Sequence, residues 1–163
     1  MKRTVFVPVT PEQLRGLAEG AAPTAGLIPD HAFAATAELT SEFGYGPDED
    51  EEADYAAQSL AGVQALLQGQ PRVVLAAECE ATPAEPAGHG TVHVDALSWQ
   101  RVKAIFVDEP EAVEAARSLA TELAGQSIET AWEQDLVRQF VAEHELLWFA
   151  TQEFAAALEL AEG

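Results

Sequence analysis

The sequence predicts an α+β domain: a mixed or antiparallel sheet of about four to five strands, packed by helices over one face and ending in a long C-terminal helical segment. Three observations predict it. Short β-branched runs at 4–10, 72–78, 91–94 and 102–107 alternate with stretches of helical periodicity. The runs at 91–94 and 102–107 are joined too tightly for a helical crossover, which disfavours a doubly wound parallel sheet. From Glu129 to Glu159 the chain has neither Gly nor Pro, so no local breaker interrupts a helix. A ferredoxin-like split arrangement is one topology that fits.

Thr4-Val5-Phe6-Val7-Pro8-Val9-Thr10 is a first strand, with Pro8 at its end or on an edge. Thr10-Pro11-Glu12-Gln13 starts a helix: Thr10 caps it, Pro11 fits the first turn and Gln13 holds the capping-box position. That helix runs through Leu14 and Leu17 to Gly20, and residues 21–30 form a loop. Ala32-Phe33-Ala34-Ala35 is a short strand, and residues 36–39 open a helical turn that ends by Gly44 and Gly46. Tyr55, Leu60, Val63, Leu66 and Leu67 mark a helix stopped by Gly69 and Pro71. Arg72-Val73-Val74-Leu75-Ala76-Ala77-Glu78 is apolar on both faces and belongs in the middle of the sheet. Residues 81–90, rich in Pro and Gly, are a loop. Asp108-Glu109-Pro110-Glu111 caps a helix over 112–123, which Gly125 ends.

The densest run is Glu143-His144-Glu145-Leu146-Leu147-Trp148-Phe149-Ala150-Thr151-Gln152-Glu153. At 100° per residue, Leu136, Val137, Phe140, Val141, Leu147, Trp148, Phe154, Ala155 and Leu158 share one apolar arc, with His144 and Thr151 in its middle. Leu146 and Phe149 point elsewhere. A single helix would be long for this domain, so a break is expected around 142–145.

Length and charge bound the function. The 163 residues suit one domain over 1–163, with a core that needs no disulfide or metal. The single cysteine, Cys79, excludes an intramolecular disulfide and suits a reducing compartment. No signal peptide is evident, and no stretch approaches the roughly 20 apolar residues of a membrane span. These features point to the cytoplasm. With 28 acidic and 8 basic residues the net charge is −20. Phosphates are repelled, so direct nucleic-acid binding is disfavoured, as are anionic membranes. A basic or mixed-charge protein partner and DNA mimicry are permitted. The bland alternative is simple solvation, with a composition that uses Ala and Glu freely and has only two lysines, Lys2 and Lys103.

Catalytic signatures are weak. There is no phosphate-binding Gly-rich loop and no nucleophile elbow. Cys79 with His89 and His93 lacks a third member, and is more simply a small buried hydrophobe. His89 and His93 would lie about 13 Å apart in an extended segment, too far to share an ion. Glu143-His144-Glu145 lacks the second histidine of a zinc helix. No metal site or cofactor is therefore assigned. The remaining constellation is His144, Trp148 and Gln152 at helical spacing, with Asp108 at a strand's end. It is either a core histidine with a buried partner or a pocket for a small molecule or peptide. The acidic run Asp48, Glu49, Asp50, Glu51 and Glu52, with Asp54, is either a solvated helix start or a docking patch.

Val5-Phe6-Val7-Pro8, Phe33-Ala34-Ala35-Thr36, the acidic run leading into Asp54-Tyr55-Ala56-Ala57, Arg72-Val73-Val74-Leu75-Ala76-Ala77, Val107-Asp108-Glu109 and the run from His144 to Glu153 together resemble a family of uncharacterised actinobacterial proteins, classed only as a domain of unknown function. The resemblance spans nearly the whole chain and is most specific in the C-terminal run. It implies a free-standing cytoplasmic bacterial protein of about this length. It carries no activity, cofactor or catalytic residue.

The sequence thus leaves the function unknown. The favoured reading is a cytoplasmic acidic module, interacting or regulatory rather than enzymatic, that docks a basic or mixed-charge protein, with homo-oligomerisation open. A small-molecule-binding protein or small enzyme with a pocket around His144 is the alternative, and a DNA mimic the third.

Overall fold

In the computed structural model, seven strands form one sheet in the order β4-β5-β2-β1-β3-β6-β7, and every pairing is antiparallel. The strands are β1 (Lys2–Pro8), β2 (Ala32–Phe33), β3 (Val73–Glu80), β4 (Thr82–Pro83), β5 (Thr91–His93), β6 (Val102–Val107) and β7 (Leu147–Phe149). The helices are α1 (Pro11–Ala18), α2 (Ala37–Phe43), α3 (Asp50–Leu67), α4 (Val113–Leu123), α5 (Ile128–Trp132), α6 (Asp135–Glu143) and α7 (Phe154–Glu162). The structure describes residues 2–20, 31–84, 88–94 and 96–162. The loop expected over 21–30 and part of that over 81–90 lie outside the described residues.

The class is α+β as the sequence indicates, with more strands than expected, because two of the seven, β2 and β4, are only two residues long. The long apolar run does lie inside the sheet: β3 pairs with β1 on one side and β6 on the other. Strand alternation sends Phe6, Val74, Ala76, Ala104 and Phe106 to one face, where α2 to α6 pack. Val5, Val7, Leu75, Ala77, Ile105 and Val107 go to the other, where Leu14 of α1 and Ala157 and Leu158 of α7 meet them. Helices therefore cover both faces, not one, and the ferredoxin-like arrangement with one helical layer is not formed. The tight connection between β5 and β6 is no hairpin either. Three strands separate the two, and Val94 and Leu97 of the connection are buried on the second face.

Local chemistry sets the helix ends. The Thr10 hydroxyl accepts the Gln13 N–H at 3.1 Å, and the Gln13 side chain accepts the Thr10 N–H at 2.8 Å, closing the predicted capping box. Thr36 caps α2 through the Leu39 N–H, and Gly44, at φ +74°, ends it in the left-handed conformation that a side chain disfavours. In α3 every residue from Ser59 to Leu66 is buried. Leu60, Val63 and Leu66 supply apolar bulk, each worth about 1.5–3 kcal/mol on burial. Ala57, Ala61 and Gly62 let the backbone approach its neighbours: a Cβ on Gly62 would stand 3.2 Å from Cδ of Arg72.

The C-terminal region breaks where expected, and also at 133–134, between α5 and α6, where no break is expected. Helix α6 ends at Glu143, with His144 as its cap residue. Beyond this break the expectation of helix across the run from Glu143 to Glu153 is wrong. Leu147, Trp148 and Phe149 form the edge strand β7, opposite Val107, Phe106 and Ile105. The Leu-Trp-Phe triplet suits a pleated surface, and β6 offers an unpaired edge, so sheet pairing prevails over helical periodicity. No helix among the described residues is long and apolar enough to cross a membrane.

Candidate functional site

The residues singled out from the sequence divide in two. Asp108 does not cap a helix: residues 110–112 form a 3-10 turn with no side-chain cap. Its carboxylate instead accepts the Arg72 Nε–H at 2.7 Å and the Arg72 backbone N–H at 3.2 Å. The same guanidinium donates to the His144 carbonyl at 2.8 Å and lies 4.5 Å over the Phe140 ring. Burial pushes the Arg72 pKa down, and Asp108 is the main influence holding it up. The structure thus brings Asp108 and His144 together through Arg72, as a clamp on the end of α6. The His144 ring is half-buried, with Nδ1 3.4 Å from Glu109 Oε1 and its centroid 5.1 Å from the Phe140 ring, tilted against it.

Trp148 and Gln152 do not join them. Trp148 stands 60% exposed on β7, and Gln152 is exposed in a 3-10 turn. The helical spacing that related them to His144 ends at the α6 cap, so no shared pocket forms along such a stripe. Asp48, Glu49, Asp50, Glu51 and Glu52 are all exposed, in the turn before α3 and in its first turn. Glu49 also accepts the Gly46 N–H at 2.9 Å. Asp54 is half-buried, and burial followed by Asp50 raises its pKa while Arg3 opposes the rise. Cys79 is a buried free thiol whose pKa burial pushes up, an inert environment. Among the described residues, no group of three or more His, Cys, Asp or Glu could hold a metal ion.

A prominent concavity is one the motifs do not indicate. A cleft of about 820 Å³ opens between α2, α3, α5 and α6. Its walls carry four aromatic residues: Phe43 at the end of α2, Tyr45 just beyond, Tyr55 on α3 and Trp132 at the end of α5. Phe43 is the hub. Its ring stacks on Trp132 at 6.1 Å, tilts against Tyr45 at 6.1 Å and meets His89 edge-on at 6.4 Å. Polar groups sit among the rings: Glu42, Glu133, Glu145, Arg138 and His89. Both tyrosines of the chain line it.

Several contacts fix the geometry. Arg138 Nε donates to the Trp132 carbonyl at 3.0 Å, tying α6 to the end of α5. Glu42 accepts the His89 backbone N–H at 3.0 Å and lies 3.5 Å from His89 Nδ1. His89 itself has φ +53°, an uncommon conformation for a residue with a side chain, and such strain persists only where its surroundings enforce it. Gly90 beside it approaches so closely that a Cβ would lie 2.5 Å from Leu39 Cδ1 and 2.6 Å from the Ala34 carbonyl oxygen. Tyr55 donates a long bond, 3.4 Å, to Glu145, and burial, then the Glu145 charge, pushes its phenol pKa up. Tyr55 therefore stays a neutral donor at physiological pH.

These residues come from segments far apart in sequence, which is why spacing did not reveal them. The one available signal was that the scarce aromatics Tyr45, Tyr55 and Trp132 all stand beside acidic or Gly-rich turns. No curated protein and no solved structure matches this chain. Residues 3–158 match the model of a family of unknown function, DUF6912, and the chain belongs to that family.

Proposed function

We propose that this protein is a small-molecule-binding protein whose site is the aromatic cleft between α2, α3, α5 and α6. The observation that carries the reading is the cleft's construction: about 820 Å³ walled by Phe43, Tyr45, Tyr55 and Trp132, with a few polar side chains among them. Ligand sites are typically apolar concavities of roughly 300–1,000 Å³ with a small number of orienting polar groups. The pocket reading thus moves from His144 and Trp148 to Tyr55 and Trp132. We place its action in the cytoplasm, on the sparing use of cysteine in the sequence.

A thermal-shift screen of a metabolite library tests this directly. Compounds that stabilise the wild type should lose their effect in Trp132→Ala and keep it in Trp148→Ala. Hits that survive Trp132→Ala unchanged would place binding elsewhere and end the proposal.

A second reading, docking of a basic protein partner, is favoured by the exposure of Asp48, Glu49, Asp50, Glu51 and Glu52. It requires binding that weakens with salt and with charge reversal across these positions. A partner captured equally well by the reversed variant would remove it.

A further inference from the structure

We infer that the ligand of this cleft is a small organic cation, a protonated or quaternary amine on an apolar body. The inference rests on the reading of the cleft as a ligand site and adds the charge of what enters it.

Two independent features select a cation. The first is the wall. The faces of Tyr and Trp rings carry negative electrostatic potential and attract ammonium groups, more strongly where water is excluded. Phe43, Tyr45, Tyr55 and Trp132 line one open cleft together. The second is the set of charged lining groups. Glu42, Glu133 and Glu145 line the cleft alongside a single guanidinium, Arg138. One donor of Arg138 is already committed to the Trp132 carbonyl. Glu42 is turned toward His89, and Glu145 receives only the long bond from Tyr55. Among the described residues no cation stands within ion-pair distance of Glu133 or Glu145.

Other ligand charges fit worse. An anion would meet three carboxylates in a protein of net charge −20. A neutral apolar ligand would gain nothing from those carboxylates. A cation gains from both rings and carboxylates. The exposed acidic run lies in the chain between Tyr45 and Tyr55, and Glu51 and Glu52 stand one helical turn before Tyr55, so the field draws cations toward this end of α3.

The test titrates the full-length protein at constant ionic strength, by calorimetry and by tryptophan fluorescence. The probes are benzyltrimethylammonium, choline, the neutral carbon isostere of choline with a tert-butyl group for the trimethylammonium, and phenylacetate as the anion. Choline should bind roughly tenfold more tightly than its neutral isostere, with phenylacetate weakest. The variant carrying Glu133→Gln and Glu145→Gln should lose most of that margin while unfolding at the wild-type temperature, because both side chains are exposed. A neutral isostere or phenylacetate that binds as tightly as the cation would overturn the charge assignment and leave the cleft as the site. Cation binding that is undiminished in Trp132→Ala would place the cation elsewhere on the acidic surface and overturn both. Absence of binding by both cations would overturn the charge assignment, and the metabolite screen then decides the cleft by itself.

Discussion

Replacing Asp108 by Ala tests the buried ion pair at the end of the β3–β6 ladder. Arg72 and Asp108 are 3% and 7% exposed, so the pair is effectively out of water. Removing the carboxylate takes away two acceptors, the one at 2.7 Å on Nε and the one at 3.2 Å on the Arg72 backbone N–H. The guanidinium then remains buried with the His144 carbonyl, the Phe140 ring and the more distant charge of Glu109 for compensation. Breaking a buried pair by deleting one partner costs about 3–5 kcal/mol, because the remaining charge is stranded. In a domain of this size each kcal/mol lowers Tm by about 2–4 °C, so Asp108→Ala should melt roughly 10 °C lower. Urea unfolding at neutral pH, followed by far-UV circular dichroism, measures the free energy directly.

The control is the double variant Arg72→Met, Asp108→Leu, which removes both charges together. It still forfeits the bond to the His144 carbonyl, yet it should be more stable than Asp108→Ala alone. A loss below about 1 kcal/mol in Asp108→Ala would mean that Arg72 escapes to water and that the pair does not clamp the end of α6. A double variant no better than the single would refute the stranded-charge argument itself. The perturbation also reaches the cleft, since the clamp holds the end of α6 to which Glu145 is joined.

Other perturbations separate the parts of the structure. Gly90→Ala must accept both φ +74° and contacts of 2.5 and 2.6 Å with Leu39 and the Ala34 carbonyl. It should cost about 2 kcal/mol or more in chemical unfolding and reduce ligand affinity by displacing His89; an unchanged midpoint would contradict the close approach. Trp148→Ala should change stability by less than about 1 kcal/mol, because the ring is 60% exposed, and should remove a red-shifted component of the emission spectrum. A large loss there would mean that β7 is packed under something. Asp54 has a folded-state pKa above the ordinary aspartate range, chiefly through burial and then Asp50, with Arg3 opposing. The folded protein therefore binds this proton more tightly than the unfolded chain. The contribution of Asp54 to stability is greatest at acid pH and is lost as pH rises through the raised pKa. Asp54→Asn should accordingly be more stable than wild type at neutral pH, with the difference closing as both are acidified below the ordinary aspartate range. A difference that grows on acidification would reverse the sign of the argument.

Local signals in the sequence carry most of the fold. The capping box of Thr10 and Gln13, Gly44 at the end of α2 and the two-sided apolar run of β3 each depend on neighbours a few residues away, and each is present in the structure. The failures share a cause. Whether residues 147–149 form helix or strand depends on the free edge of β6, about 40 residues earlier in the chain, and no local window contains that edge. The segment between β5 and β6 resembles a hairpin connection because its length permits one. It crosses the second face instead, since Val94 and Leu97 gain more from burial against the sheet than from a turn. The two-residue strands are illegible for a simpler reason: they owe their conformation wholly to the partner.

The candidate site shows the same dependence more sharply. A helical period relates His144, Trp148 and Gln152, and a period has meaning only while the helix lasts. The helix stops at Glu143, so the relation dissolves. Asp108 stands out in the sequence for its place at a strand's end, but its partner is Arg72, which sits just ahead of the neighbouring strand β3 and in the sequence alone is no more than the start of that strand. The cleft residues have no period at all. Phe43 and Tyr45 reach it from the end of one helix, Tyr55 from the start of the next, Trp132 and Arg138 from the insertion between β6 and β7. That insertion lets β6 and β7 pair side by side while α4, α5 and α6 cover the first face. The aromatic cleft lies where this added layer meets α2 and α3, so it arises from the sheet topology rather than from any motif. A binding surface made at such a junction becomes visible only when the strand order is known.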